Sequence, residues 1–107
     1  MRLYHNPRCS KSRMAVKLLN DKGVEFEEYR YLDNGIKDDD LTLLASLRGI
    51  IRKQEKEFKQ LNFPINSSAD IIKALRMKPK LLERPVLVKD GKAVIGRPPE
   101  EILTIID

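Results

Sequence analysis

Cys9 is the only cysteine in the chain. It stands in the run Pro7-Arg8-Cys9-Ser10-Lys11-Ser12, four residues after the only histidine, His5. A cysteine does chemistry as its thiolate, and this run favours the thiolate. Helical periodicity begins immediately after it, so Cys9 falls where the unpaired N–H groups of Ser10 and Lys11 and the positive end of the helix dipole stabilise negative charge. Arg8 and Lys11 add positive charge nearby. A buried cysteine that packs as a small hydrophobe would be inert, but the neighbours here are polar or loop-forming. One cysteine cannot form an internal disulfide, so thiol chemistry must take its second thiol from outside. Ser12 sits where a Cys-x-x-Cys motif would carry the resolving thiol. His5, at the end of the first apolar run, can orient or polarise the thiol; the alternative is a histidine simply packed beside a loop. One Cys and one His do not make a zinc ligand set, and no metal is expected.

The elements that must position this loop can be read from periodicity. Arg2 to His5 predicts a strand stopped by Asn6-Pro7. Ser10 to Lys22 predicts a helix, with Ala15, Leu18 and Leu19 on its apolar face, Met14 beside them and Gly23 at its end. Val24 to Tyr31 predicts a second strand and so completes a βαβ unit with a parallel pair. After the Asn34-Gly35 turn, Asp38-Asp39-Asp40 offers an N-cap and first-turn charge to a helix bearing Leu41, Leu44 and Ala45. Residues 52 to 61 predict another short helix. Ser67-Ser68 with Asp70 predicts a capped helix carrying Ile71, Ile72 and Leu75, ended near Pro79. Asp90-Gly91 between Pro85-Val86-Leu87-Val88-Lys89 and Lys92-Ala93-Val94-Ile95 is hairpin-turn chemistry, and Pro98-Pro99-Glu100-Glu101 opens a last helix with Ile102, Leu103 and Ile106. The expected fold class is α/β. A βαβ unit, a helical insertion at about 37–80, then a hairpin and helix form a small mixed sheet in one domain over residues 1–107. With a cysteine in the first βα loop and a proline at the start of the third strand, this is the layout of the thioredoxin-like fold.

Composition narrows the surroundings. The chain has 107 residues, 41% hydrophobic and 35% charged, as suits one compact soluble domain. No stretch approaches the ~20 apolar residues of a membrane span, so a cytoplasmic protein without membrane attachment is expected. A net charge of +5, from 21 Lys and Arg against 16 Asp and Glu, favours anionic partners. Nucleic acid is not the expected one. The basic residues are interleaved with acidic ones, as in Arg52 to Phe58, and three Tyr and three Phe offer little to stack on bases.

Several spaced motifs together carry a resemblance that covers the whole chain. Tyr4-His5-Asn6-Pro7-Arg8-Cys9-Ser10-Lys11-Ser12-Arg13, Arg52-Lys53, Glu83-Arg84-Pro85-Val86, Lys89-Asp90-Gly91-Lys92 and Gly96-Arg97-Pro98-Pro99-Glu100 occur in this order. In these motifs the chain resembles the glutaredoxin-linked arsenate reductases. The resemblance implies a nucleophile at Cys9, arginines at Arg52, Arg84 and Arg97 around it, and a cis bond before Pro85. It also implies a substrate oxyanion held by Cys9, Ser10, Lys11, Ser12 and those arginines, with no tightly bound cofactor. Glutathione would be the reducing co-substrate, glutaredoxin the partner, and the protein a monomer. Arginine forks suit the role, because a tetrahedral oxyanion takes paired donors that lysine cannot match. The stretch between Tyr31 and Arg52 is shorter than in longer members of that family, which leaves Arg48 as an alternative to Arg52. Two other readings stay open. One is a regulatory module resembling Spx-type proteins that dock on RNA polymerase, although Cys9 and Ser12 cannot form the disulfide those proteins sense with. The other is a monothiol oxidoreductase acting on glutathione mixed disulfides.

Overall fold

The computed structural model describes residues 1–106. Strand β1 (Arg2–Tyr4) leads through the Cys9 loop into α1 (Ser10–Asp21), and the chain returns as β2 (Glu27–Tyr29). Four helices follow: α2 (Tyr31–Asn34), α3 (Asp38–Ala45), α4 (Lys56–Lys59) and α5 (Ser68–Met77). A 3-10 turn (Pro79–Leu81), strands β3 (Val86–Lys89) and β4 (Lys92–Ile95), and a 3-10 helix (Pro99–Ile105) complete the fold. The sheet order is β2-β1-β3-β4. β1 runs parallel to β2 and antiparallel to β3, which pairs antiparallel with β4.

Strand alternation divides the core into two layers. Tyr4, Val86 and Val88 face the helical insertion and pack with Tyr31, Leu41, Leu44, Leu75 and Leu81. Leu3 and Leu87 face the other way, onto Ala15 and Leu19 of α1 and Ile102 of the terminal 3-10 helix. The Cys9 loop emerges at the end of β1, between the two layers. This is the thioredoxin-like α/β arrangement that the sequence leads one to expect.

Four elements depart from the sequence expectation. β2 is three residues long rather than spanning Val24 to Tyr31; Val24 and Phe26 pack against the α1 layer instead of extending the ladder. The three aspartates lie in the first turn of α3 and none caps it, the N-cap being Lys37. Asp40 turns inward instead, 2.6 Å from Arg2 Nη1 and 2.5 Å from the Tyr4 hydroxyl, and ties α3 to the sheet. Of the helix expected at 52–61, only Lys56–Lys59 forms. The last helix is 3-10, beginning after a cis Arg97–Pro98 bond that nothing in the sequence reading foresaw. The capping of α5 and the hairpin follow the sequence closely. Ser67 accepts the Asp70 N–H, and Asp90 and Gly91 take φ of 50° and 76°, the paired positive values of a type I′ turn.

Candidate active site around Cys9

Cys9 is the N-cap residue of α1, with extended backbone (φ −94°, ψ 122°), and is half-buried. Burial would push its thiol up. The Ser12 N–H, the Arg84 guanidinium and the Lys11 N–H outweigh that and hold the thiol below its ordinary value. Backbone donors at the helix start and one arginine therefore stabilise the thiolate. The side chains of Ser10 and Lys11 are exposed.

Ser12 contributes to the site through its backbone, not its hydroxyl. Its side chain is fully buried, with Oγ 2.7 Å from His5 Nδ1 and accepting the Asn6 N–H at 3.0 Å. His5 Nε2 in turn lies 3.4 Å from Glu28 Oε1. No hydrogen bond joins His5 to Cys9. His5 braces the loop from beneath, joining the end of β1 to Ser12 of α1 with Glu28 of β2 alongside. Burial holds its pKa below the ordinary value; Glu28 opposes this, while Arg30 and Arg13 reinforce it.

The arginines meet although they are far apart in sequence. An isolated bridge pairs Ile51 with Leu82, the Arg52 N–H donating to Leu81 O and the Glu83 N–H to Ile50 O, each at 2.7 Å. This bridge sets Arg52 beside Arg84. On the other side, the Gly96 N–H donates to Pro85 O at 2.7 Å, and Arg97 Nη1 donates to Arg84 O at 2.9 Å. The Arg84–Pro85 bond is cis, as the resemblance implied. Arg48 is exposed and lines a separate hollow with Gly49, Ile50 and Lys53, apart from the cluster that Arg52 joins.

Two carboxylates bind this cluster together, and sequence reasoning missed both. Glu83 Oε1 accepts from Arg52 Nη1 at 2.6 Å and from the Arg84 N–H at 3.1 Å, and lies 3.4 Å from Arg97 Nη1. Glu55 Oε1 accepts from Arg52 Nε at 3.0 Å and lies 3.9 Å from Arg84 Nη1. The hydrogen bond from Arg52 holds the Glu55 carboxyl below the usual carboxylate range, against the opposing effect of burial. Glu55 follows Arg52 by three residues and Glu83 directly precedes Arg84. Those two spacings were the available signal. Tyr31, also missed, is fully buried, and its hydroxyl has no partner among the described residues. Burial pushes that hydroxyl up to about 12, while the neighbouring Arg84 and Arg52 pull it down. Arg84 Nε is likewise buried and unpaired. Beside the Cys9 loop opens a groove of about 500 Å³, bordered by His5, Arg8, Arg30, Asp33, Lys80 and Arg84.

A thiolate beside an arginine cluster at a helix start suits attack on an anionic, tetrahedral centre, and comparison with known proteins points the same way. Residues 4–105 match the ArsC family. The chain belongs to the ArsC family. An arsenate reductase of Neisseria meningitidis serogroup B is 39% identical, the match covering 99% of this chain and 97% of the relative. The uncharacterized protein YfgD of Escherichia coli is 44% identical over 99% of this chain and 96% of that one. Among solved structures, the arsenate reductase from Vibrio cholerae superposes with a TM-score of 0.85 at 35% identity, covering 99% of this chain and 98% of that one. This ArsC family chain thus shares its full length with these relatives, and the Cys9 loop and all three arginines lie inside the matched span. Among the described residues no helix is long and apolar enough to cross a membrane.

Proposed function

We propose that the protein is a thiol-dependent arsenate reductase in which Cys9 is the nucleophile and glutathione with glutaredoxin supplies the electrons. The observation that carries the reading is the placement of Cys9 at the start of α1, where the Ser12 N–H and Arg84 lower its thiol and where Glu55 and Glu83 tie Arg84 to Arg52 and Arg97. The Cys9 thiolate attacks arsenic and expels an oxygen as water, giving a Cys9–arsenate adduct still at As(V). The arginines stabilise the charge that develops on the remaining oxygens, where preorganised donors count most. Arg84 Nε, buried and unpaired, is a donor without an acceptor until an anion arrives.

Reduction needs two electrons, hence two thiols besides the one that forms the adduct. Glutathione replaces a second oxygen on arsenic, its thiol proton leaving with that oxygen as water. A glutaredoxin thiolate then attacks the glutathione sulfur, leaving the electron pair on arsenic, now As(III), and forming the mixed disulfide of glutathione and glutaredoxin. Water releases arsenite and returns the Cys9 thiol. Ser12 cannot substitute for either external thiol, since it is a hydroxyl and is engaged by His5 and Asn6. The groove beside the loop, with Arg8, Arg30, Lys80 and Arg84 set against Asp33, matches the carboxylates of glutathione. The setting that fits this chemistry is the reducing cytoplasm, with the protein acting as a monomer.

The test is arsenite production from arsenate by the purified protein with glutathione and glutaredoxin, wild type beside Cys9→Ser. Turnover by the serine variant at the wild-type rate would refute the reading.

A further inference from the structure

Three arginines and two carboxylates share one cluster. Glu83 is its hub, held at once by Arg52 Nη1, by the Arg84 backbone N–H and, at 3.4 Å, by Arg97 Nη1. Glu55 bridges Arg52 and Arg84 from the other side. Both carboxylates are largely enclosed, their side chains 19% and 20% exposed. A site built only to attract anions would leave its arginines free. Here two fixed negative charges stand among the donors, and any oxyanion gathered by Arg52, Arg84 and Arg97 must sit near them.

The consequence depends on the anion's protons. Arsenate and phosphate keep at least one proton at neutral pH and can present an O–H to a carboxylate, turning a repulsion into a charge-assisted hydrogen bond. Sulfate has the same shape and charge range but no proton. Against Glu83 it meets like charge with nothing to donate. Discrimination by an unfavourable contact with the wrong ligand needs no extra contact with the right one.

Resting on the oxyanion site described above, we propose that Glu83, seconded by Glu55, is a specificity determinant that admits tetrahedral oxyanions carrying a proton and disfavours those without one. Glu83 accepts the proton-bearing oxygen of the anion while its contacts to Arg52 and to the Arg84 N–H fix where that acceptor stands. It acts on ligand choice and not on the thiol.

Calorimetric titration of arsenate, phosphate and sulfate into the reduced protein, wild type beside Glu83→Gln, tests this. Glutamine keeps the size of glutamate and an acceptor oxygen for Arg52, but it removes the charge. Wild type is expected to bind arsenate and phosphate about tenfold or more tighter than sulfate, the worth of one charge-assisted hydrogen bond set against one repulsion. In Glu83→Gln the ratio should shrink to about twofold, chiefly because sulfate gains. A merely structural glutamate would shift all three anions together and leave the ratio unchanged. An unchanged ratio, or equal affinities in wild type, overturns the role of Glu83 while leaving the oxyanion site intact. Failure of all three anions to bind wild type overturns both.

Discussion

At Cys9 the opposing effects are explicit: burial raises the thiol pKa, and the Ser12 N–H, Arg84 and the Lys11 N–H more than reverse it. The rate of alkylation by iodoacetamide against pH should therefore have its midpoint below the ~8.5 of a free cysteine. Arg84→Ala should move that midpoint upward and weaken arsenate binding by about tenfold or more. Arg84→Lys should restore part of the pKa effect but little of the binding, because a point charge loses the fork geometry. A midpoint at or above the free value would contradict the assignment. His5 makes a different prediction. Its folded pKa is depressed, so below the ordinary value the unfolded chain binds the proton first. The stability contributed by the neutral histidine is present above pH ~6.5 and is lost as the pH falls below that. Thermal melts between pH 7.5 and 5.5 should show this loss, and His5→Gln should flatten it. Glu55, also depressed, acts in the same direction but only as the pH falls from the ordinary carboxylate value toward its lower folded one, so the two windows separate. The sequence showed Cys9 clearly because its loop-to-helix setting is local. It did not show that His5 bonds to Ser12, since helix periodicity does not reveal which way a serine hydroxyl turns.

Among the elements, the hairpin and α5 were legible because their signals are short-range: Asp90-Gly91 for the turn, Ser67 with Asp70 for the cap. The terminal 3-10 helix and the curtailed β2 were not. Their form depends on packing against partners elsewhere in the chain, as with Ile102 and Phe26 on the α1 layer. Gly96 shows how such packing governs the site. A Cβ there would stand 2.8 Å from Pro85 Cγ and 2.9 Å from Ile102 Cγ2. The close approach lets the Gly96 N–H reach Pro85 O and carries Arg97 onto Arg84. Gly96→Ala should lower the melting temperature and weaken arsenate binding together, as the Arg84–Arg97 contact opens. Gly91→Ala provides the contrast. Its φ of 76° disfavours a side chain, but nothing crowds it, so about 1 kcal/mol of stability should go while arsenate affinity stays. Equal binding by the Gly96 variant would show that this glycine does not position the arginines.

For the molecule as a whole, function depends on bringing together side chains that the sequence holds far apart. Arg52 and Glu83 are separated by 31 positions and meet because the Ile51–Leu82 bridge joins the helical insertion to the approach of β3. Motif resemblance could name Arg52, but only the folded chain shows that Arg52, and not Arg48, joins the cluster and that two carboxylates stand among the arginines. A +5 chain gathers anions in general; this cluster decides which of them reaches the thiolate. With one cysteine in the chain and Ser12 bonded away beneath the loop, the electrons for reduction must come from outside. The most direct measurement is steady arsenite production from arsenate, with glutathione and glutaredoxin supplied together, each omitted in turn, and both replaced by thioredoxin. The account predicts turnover only when both are present, and none in Cys9→Ser under any condition. Sustained arsenite production by the wild-type protein with thioredoxin alone would contradict it.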